Sequence, residues 1–125
     1  MTRTTREIGY EGEFLAEAYL KEQNYVILEK NFTVKGAEID LIATEGPFLV
    51  FIEVKHHSRE DYGTMLDRVN AVKQKRIIFA ARIYLSRRPN LDMNCRFDVL
   101  AIRSQPDGEK AFTLIKDAFR WDDRV

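Results

Sequence analysis

The stretch GAEIDLIATEGPFLVFIEVK, from Gly36 to Lys55, constrains this chain more than any other segment. Two apolar runs flank Glu45-Gly46-Pro47, the composition of two strands joined by a short turn. With the turn centred between Gly46 and Pro47, Asp40 lies opposite Glu53 and Glu38 lies opposite Lys55. Side chains alternate faces along a strand, so Glu38, Asp40, Glu53 and Lys55 share one face. Ile39, Leu41, Val50, Ile52 and Val54 share the other.

Directly opposed like charges destabilise a sheet, and their Cβ atoms lie only about 5 Å apart. Two carboxylates that close raise one another's pKa unless a cation sits between them. A hard divalent ion such as Mg²⁺ suits that position, because it takes oxygen ligands and keeps several waters. The Val54 carbonyl is a candidate third ligand from the same strand end. Lys55 leans over the same place, where an ammonium can orient or deprotonate a water or neutralise a charged transition state. The alternative is a wet strand face carrying a Glu38–Lys55 salt bridge.

The rest of the chain supplies elements around this hairpin. A helix is predicted from Glu11 to Glu22, with Leu15, Ala16, Tyr19 and Leu20 at helical spacing and Asn24 as its stop. Strands are predicted over 25–34, 38–44, 48–54, 96–103 and 111–115, and residues 56–63 read as a polar loop. A long helix over 70–87 has Asn70 as its cap and Ile77, Ala80, Ala81, Tyr84 and Leu85 as its apolar stripe. The order αβββαββ implies an α/β sandwich around a mixed five-stranded sheet.

A length of 125 residues points to one domain, spanning 1–125, with enough chain for a core without staples. The apolar runs are too short to span a bilayer, so no membrane role is expected. No apolar segment follows the N-terminal Met1–Arg6, so no signal peptide is expected. Cys95 is the single cysteine, which fits a reducing cytoplasm. The formal net charge is zero, yet residues 1–54 sum to −5, residues 55–96 to +6 and residues 97–125 to −1. A basic segment beside an acidic one suits a site that handles a polyanion; a solvated helix face is the plainer reading.

Two further charges point with apolar stripes. Glu13 shares a helix face with Ala16 and Leu20, and a carboxylate there needs a partner unless it serves only the helix dipole. Lys73 shares a face with Ile77 and Ala80, where snorkelling alone also explains a lysine. Lys75, Arg76, Arg82, Arg87 and Arg88 keep the long helix basic and suited to phosphate contacts. His56 and His57 point to opposite strand faces and lack the further ligands a zinc site needs. There is no P-loop or dinucleotide fingerprint.

Taken together, Asp40, Glu53-Val54-Lys55 and the upstream Glu13 resemble the PD-(D/E)xK nuclease superfamily. Gly9-x-x-Gly12-Glu13-x-x-Ala16-x-x-Tyr19-Leu20, Glu38-Ile39-Asp40-Leu41-Ile42 and Val50-Phe51-Ile52-Glu53-Val54-Lys55 resemble the YraN-like uncharacterised protein family. So do Lys73-Gln74, Ala81-Arg82, Arg96-Phe97-Asp98-Val99 and Ile115-Lys116-Asp117-Ala118-Phe119. The resemblance covers nearly the whole chain, in order. It implies a restriction-endonuclease-like three-layer fold and an endonuclease related to Holliday junction resolvases.

By that resemblance Glu13, Asp40, Glu53 and Lys55 form the active-site set, with Lys73 as an auxiliary lysine. Asp40, Glu53, Val54 and Glu13 would hold Mg²⁺ or Mn²⁺, and His57, Lys75, Arg76 and Arg82 would contact DNA, branched DNA included. A homodimer follows by analogy with the resolvases. Asp98 reads as structural. Two positions depart from the family: Ala37 stands where a glycine is usual, and His56-His57 stand where an arginine is common. Histidine is mostly uncharged at neutral pH, which weakens a phosphate contact. The competing readings are a nucleic-acid-binding module that does not cut, and a scaffold with an exposed apolar patch near Phe119 and Trp121.

Overall fold

The computed structural model describes residues 5–57 and 70–121, with side chains from Gly12 onward except that of His57. The elements are α1 (Thr5–Glu22), β1 (Val26–Val34), β2 (Ala37–Glu45), β3 (Phe48–His57), α2 (Ala71–Ser86), β4 (Asn94–Ser104) and β5 (Lys110–Phe119). The order is the αβββαββ expected. The strands form one sheet in the order β1-β2-β3-β4-β5. β3 and β4 run parallel, and the other neighbours run antiparallel. The parallel pair is the one whose connection carries α2, because parallel strands need a long crossover where antiparallel strands need only a turn.

The two helices cover opposite faces of the sheet. Ala16 and Leu20 of α1 pack with Tyr25, Leu41, Ala43, Val50, Ile52, Leu100 and Ile102. Ile77, Ile78, Ala80, Ala81 and Tyr84 of α2 pack with Phe32, Ile39, Ile42, Leu49, Phe51, Phe97 and Val99. The result is a helix–sheet–helix sandwich whose central strands are buried on both faces. Burying one large apolar side chain contributes roughly 1.5–3 kcal/mol, and Phe51, Phe97, Leu20, Leu49 and Ile52 are all nearly inaccessible.

Local signals set the ends of these elements. Asn24 adopts a left-handed φ of 71°, and Tyr25 N–H closes on Leu20 O at 3.0 Å. That is the Schellman geometry that stops a helix. Asn70 caps α2, its side chain accepting from Lys73 N at 2.9 Å. Gly36 takes a φ of 84° at the β1–β2 turn, so Ala37 is free to join the strand and pairs with Val34. The β2–β3 hairpin has the symmetric register, running from Glu45↔Phe48 to Leu41↔Ile52.

Several boundaries differ from the sequence reading. α1 begins at Thr5 rather than Glu11, so Gly9 as well as Gly12 lies within the helix. Gly12 is buried, and a Cβ there would meet His56 Nδ1 at 3.1 Å. The glycine lets the helix backbone approach the end of β3. His56 and His57 continue β3, in register with Ile102 and Arg103, rather than starting a loop; residues 58–63 lie outside the described residues.

β5 runs on to Phe119 through a register shift opposite Phe97–Val99. Phe119 and Trp121 pack on Phe97, with ring centroids 4.8 and 4.9 Å away. They pack, partly buried, against the α2-side core. Among the described residues the large exposed apolar side chains are Phe14, Val26, Leu28, Val72 and Phe79. No helix among the described residues is long and apolar enough to cross a membrane.

Candidate active site at the end of the central strands

The candidate site lies where β2 parts from β3. The described pairing between them reaches only Leu41↔Ile52, while β2 stays paired with β1 as far as Ala37. One residue past the last β2–β3 pair, the side chain of Asp40 takes the ladder's place: its Oδ2 accepts the backbone N–H of Val54 at 2.8 Å. The alternation of β2 breaks at the same point. Ile39 packs on the α2 side, whereas Leu41 packs on the α1 side. Strict alternation would put both on one face, as the sequence reading had it. Val50, Ile52 and Val54 do share the α1 side with Leu41.

Glu53 follows the regular part of β3. Phe51 and Val99 belong to the α2-side core, and Glu53 is in register with Val99. It therefore faces α2, and it is 8% exposed. Lys73, in the first turn of α2, reaches it: Nζ stands 3.2 Å from Glu53 Oε2. The cap at Asn70 sets the start of α2 and so puts Lys73 in its first turn.

The Asp40 carboxyl is half-buried and is held well above the usual carboxylate range, at about 8. Burial is the largest cause. A hydrogen bond with Glu53 and its charge add to it, and the Val54 N–H and the Lys73 ammonium oppose it. Asp40 thus sits where burial and a second carboxyl disfavour its charged form.

The other sequence-selected residues surround this pair unequally. Lys55 is half-buried and, two residues beyond Glu53 on the same strand, belongs to the α2 side by alternation. Glu13 is half-buried beside Gly12, at the level where α1 meets His56. It is not joined to Asp40 and Glu53: among the described residues no three His, Cys, Asp or Glu side chains stand together as a metal site. Val54 enters through its N–H. Glu38 is exposed, and it lines a groove of about 310 Å³ with Thr33, Val34, Gly36, Ala37, Lys73 and Arg76. Lys75 and Arg76 are exposed on α2. Arg82 lies with its guanidinium 5.4 Å from the Trp121 ring. The backbone of His57 extends β3, and its side chain lies outside the described residues.

Asp98 forms a separate buried cluster. It is fully buried and accepts from Tyr25 Oη at 2.6 Å, Arg96 Nε at 2.9 Å, Arg96 Nη2 at 2.8 Å and Asp117 N at 3.0 Å. Asp117 has a φ of 55° at the β5 register shift, so a buried carboxylate holds that bulge in place. Arg96 also meets Glu45 at 2.6 Å, and Lys116 meets the other Glu45 oxygen. Burial and the bond to Asp98 push the Tyr25 hydroxyl far up its titration range. In register with Ile52, Asp98 belongs to the α1 side, so it is kept apart from Glu53. The readable signal was Arg96-x-Asp98: two opposite charges two apart on one apolar strand share a face.

Comparison with known proteins places this arrangement. The model of the uncharacterised protein family UPF0102 matches residues 12–102, from the buried glycine of α1 into β4. A UPF0102 protein of Hahella chejuensis is 43% identical over 113 residues, covering 90% of each chain. A relative from Symbiobacterium thermophilum is 40% identical, over 92% of this chain and 98% of its own. One from Clostridium perfringens is 39% identical, over 96% and 99%. By the family match and by these relatives, the chain belongs to the uncharacterised protein family UPF0102.

Proposed function

We propose that this protein is a divalent-metal-dependent DNA endonuclease. The observation that carries the reading is the Asp40–Glu53 carboxyl pair at the splayed end of the central strands, faced by Lys73. A fold gains nothing from pressing a half-buried carboxyl against a buried one. The cost has a purpose if a cation joins them, and perturbed carboxyls in a cleft mark functional sites.

The donor set fits a hard cation. Both side chains offer oxygen, and their mutual repulsion is what a divalent ion offsets. Asp40 and Glu53 would hold it, with Glu13 as a more distant contributor. When bound, such an ion supplies a water of lowered pKa and neutralises charge on a phosphoryl group. The chain's own residues do the rest. The Val54 N–H fixes the Asp40 carboxyl in one orientation. Lys55 orients or deprotonates the attacking water. Lys73 holds Glu53 in place and adds positive charge where the phosphodiester becomes more negative. Arg76, on the groove wall beside Lys73, grips the neighbouring backbone.

A second reading has one observation in its favour. Lys73 already neutralises Glu53, so the site is partly satisfied without metal, as in a module that binds nucleic acid and does not cut it. Cleavage of labelled branched, single-stranded and duplex DNA with Mg²⁺ or Mn²⁺ decides. Cutting by the native protein that Asp40→Asn and Lys55→Ala both abolish supports the endonuclease. No cutting of any substrate, with equal binding in chelator and in Mg²⁺, sinks it and favours the binding module.

A further inference from the structure

We propose that the outer face of α2 is a track for a single-stranded DNA arm, with Phe79 as the platform on which an unpaired base stacks. Phe79 is 52% exposed. Exposed apolar residues are ordinary when they stand singly; the company of this one is not ordinary. Arg76 precedes it by three residues, Arg82 follows by three, and Lys75 precedes it by four. Residues at those spacings are neighbours on a helix surface. No aspartate or glutamate occurs from Asn70 to Leu91. The aromatic face is thus ringed by cations and approached by no carboxylate of its own helix.

These cations do not serve the helix itself. Positive charge near a helix N-terminus opposes the macrodipole, yet Lys73, Lys75 and Arg76 crowd the first two turns, and the first turn holds no acid. Lys73 is paired with Glu53, whereas Lys75 and Arg76 are exposed, and Arg82 stays exposed while the Trp121 ring holds its guanidinium.

The residues form a directed path. Lys73, Arg76, Phe79 and Arg82 lie at successive steps of three, one of the natural ridges of an α-helix. Each step rises about 4.5 Å. The ridge begins at Glu53, through Lys73, passes the groove that Arg76 lines, and turns onto the outer face at Phe79. A strand leaving the candidate site along this ridge meets a cation, an aromatic ring and a second cation in turn. That alternation of phosphate contact and stacking platform is how single strands are held without sequence preference. A duplex hides its base faces and can use only the cations. The inference rests on the reading of the site as a DNA-cutting centre only for where the arm starts; the binding itself does not depend on cutting.

The test is binding in chelator, by fluorescence anisotropy. The probes are a forked duplex with two single-stranded arms and a blunt duplex of equal length. Phe79→Ala is expected to weaken fork binding about tenfold and to change blunt-duplex binding less than about twofold. Phe79→Trp is expected to restore fork binding. Arg76→Gln with Arg82→Gln is expected to weaken both probes and to lower the salt dependence by about two phosphate contacts. Equal weakening of both probes by Phe79→Ala, or no effect on either, overturns the proposal. So does a Phe79→Ala change in sedimentation from dimer to monomer with fork binding intact, which would make the face a protein contact. Phe79-dependent fork binding with no cleavage in Mg²⁺ or Mn²⁺ would sink the nuclease reading and leave this one standing.

Discussion

The ammonium of Lys73 stands 3.2 Å from Oε2 of Glu53, joining the first turn of α2 to the end of the central strand. Glu53 is nearly inaccessible and Lys73 is half exposed, so this ion pair is only partly screened by solvent. Lys73→Met is expected to cost roughly 1 kcal/mol in chelator, read by urea unfolding. Added Mg²⁺ is expected to raise Tm more in the variant than in the native protein, because the ion then meets two carboxyls with no competing ammonium. A variant as stable as the native protein, with the same response to Mg²⁺, would mean that the lysine only snorkels.

Asp40 gives the metal-free protein a pH-dependent stability. Its carboxyl is raised from an ordinary 3.8 to about 8, first by burial and then by Glu53. Between those values the folded state holds a proton that the unfolded chain has released. Stability therefore falls as pH rises from about 4 to about 8, and levels off above. Asp40→Asn keeps an acceptor for the Val54 N–H but removes the charge. The variant is expected to be more stable than the native protein at pH 8 in chelator, with the difference shrinking toward pH 4. Urea unfolding at several pH values checks this, and parallel curves for the two proteins would contradict it.

The Asp98 cluster predicts loss of stability without a specific loss of binding. Asp98→Ala removes a fully buried carboxylate and leaves Arg96, the Tyr25 hydroxyl and the Asp117 N–H without their acceptor. Breaking one side of a buried pair costs about 3–5 kcal/mol. Tyr25→Phe removes two hydrogen bonds, the one the hydroxyl donates to Asp98 and the one it accepts from Arg96, and is expected to cost about 1–3 kcal/mol. Both are read by urea unfolding. Because Asp98 lies on the α1 side of the sheet, DNA affinity per folded molecule is expected to stay unchanged in Tyr25→Phe; a selective loss of affinity would place the cluster in the functional surface.

Much of this was legible in residue order. The turn at Gly46-Pro47 set the β2–β3 register, and alternation put Glu53 and Lys55 on one face of β3. Asn24 and Asn70 marked a helix stop and a helix start because their side chains and backbone tolerances act locally. The apolar stripe of α2 carried Lys73 toward the sheet. Each of these depends on interactions within a few residues along the chain, or across one tight turn, so one sequence contains them.

What the sequence left open depends on contacts between distant segments. The reason for a glycine at position 12, inside α1, is legible only once His56 is seen against it. β5 reads as ending at Ile115 until Asp98 is found anchoring the bulge at Asp117. Ile39 and Leu41 look like partners on one face, and they part only because β2 leaves β3 at Asp40, whose side chain takes over the Val54 N–H. Periodicity and turn chemistry, both local to the chain, specify which residues can meet in a site. That Lys73 meets Glu53 while Asp98 is kept from it follows from long-range packing, which sets the face a charge occupies in a twisted sheet and the helix that covers that face.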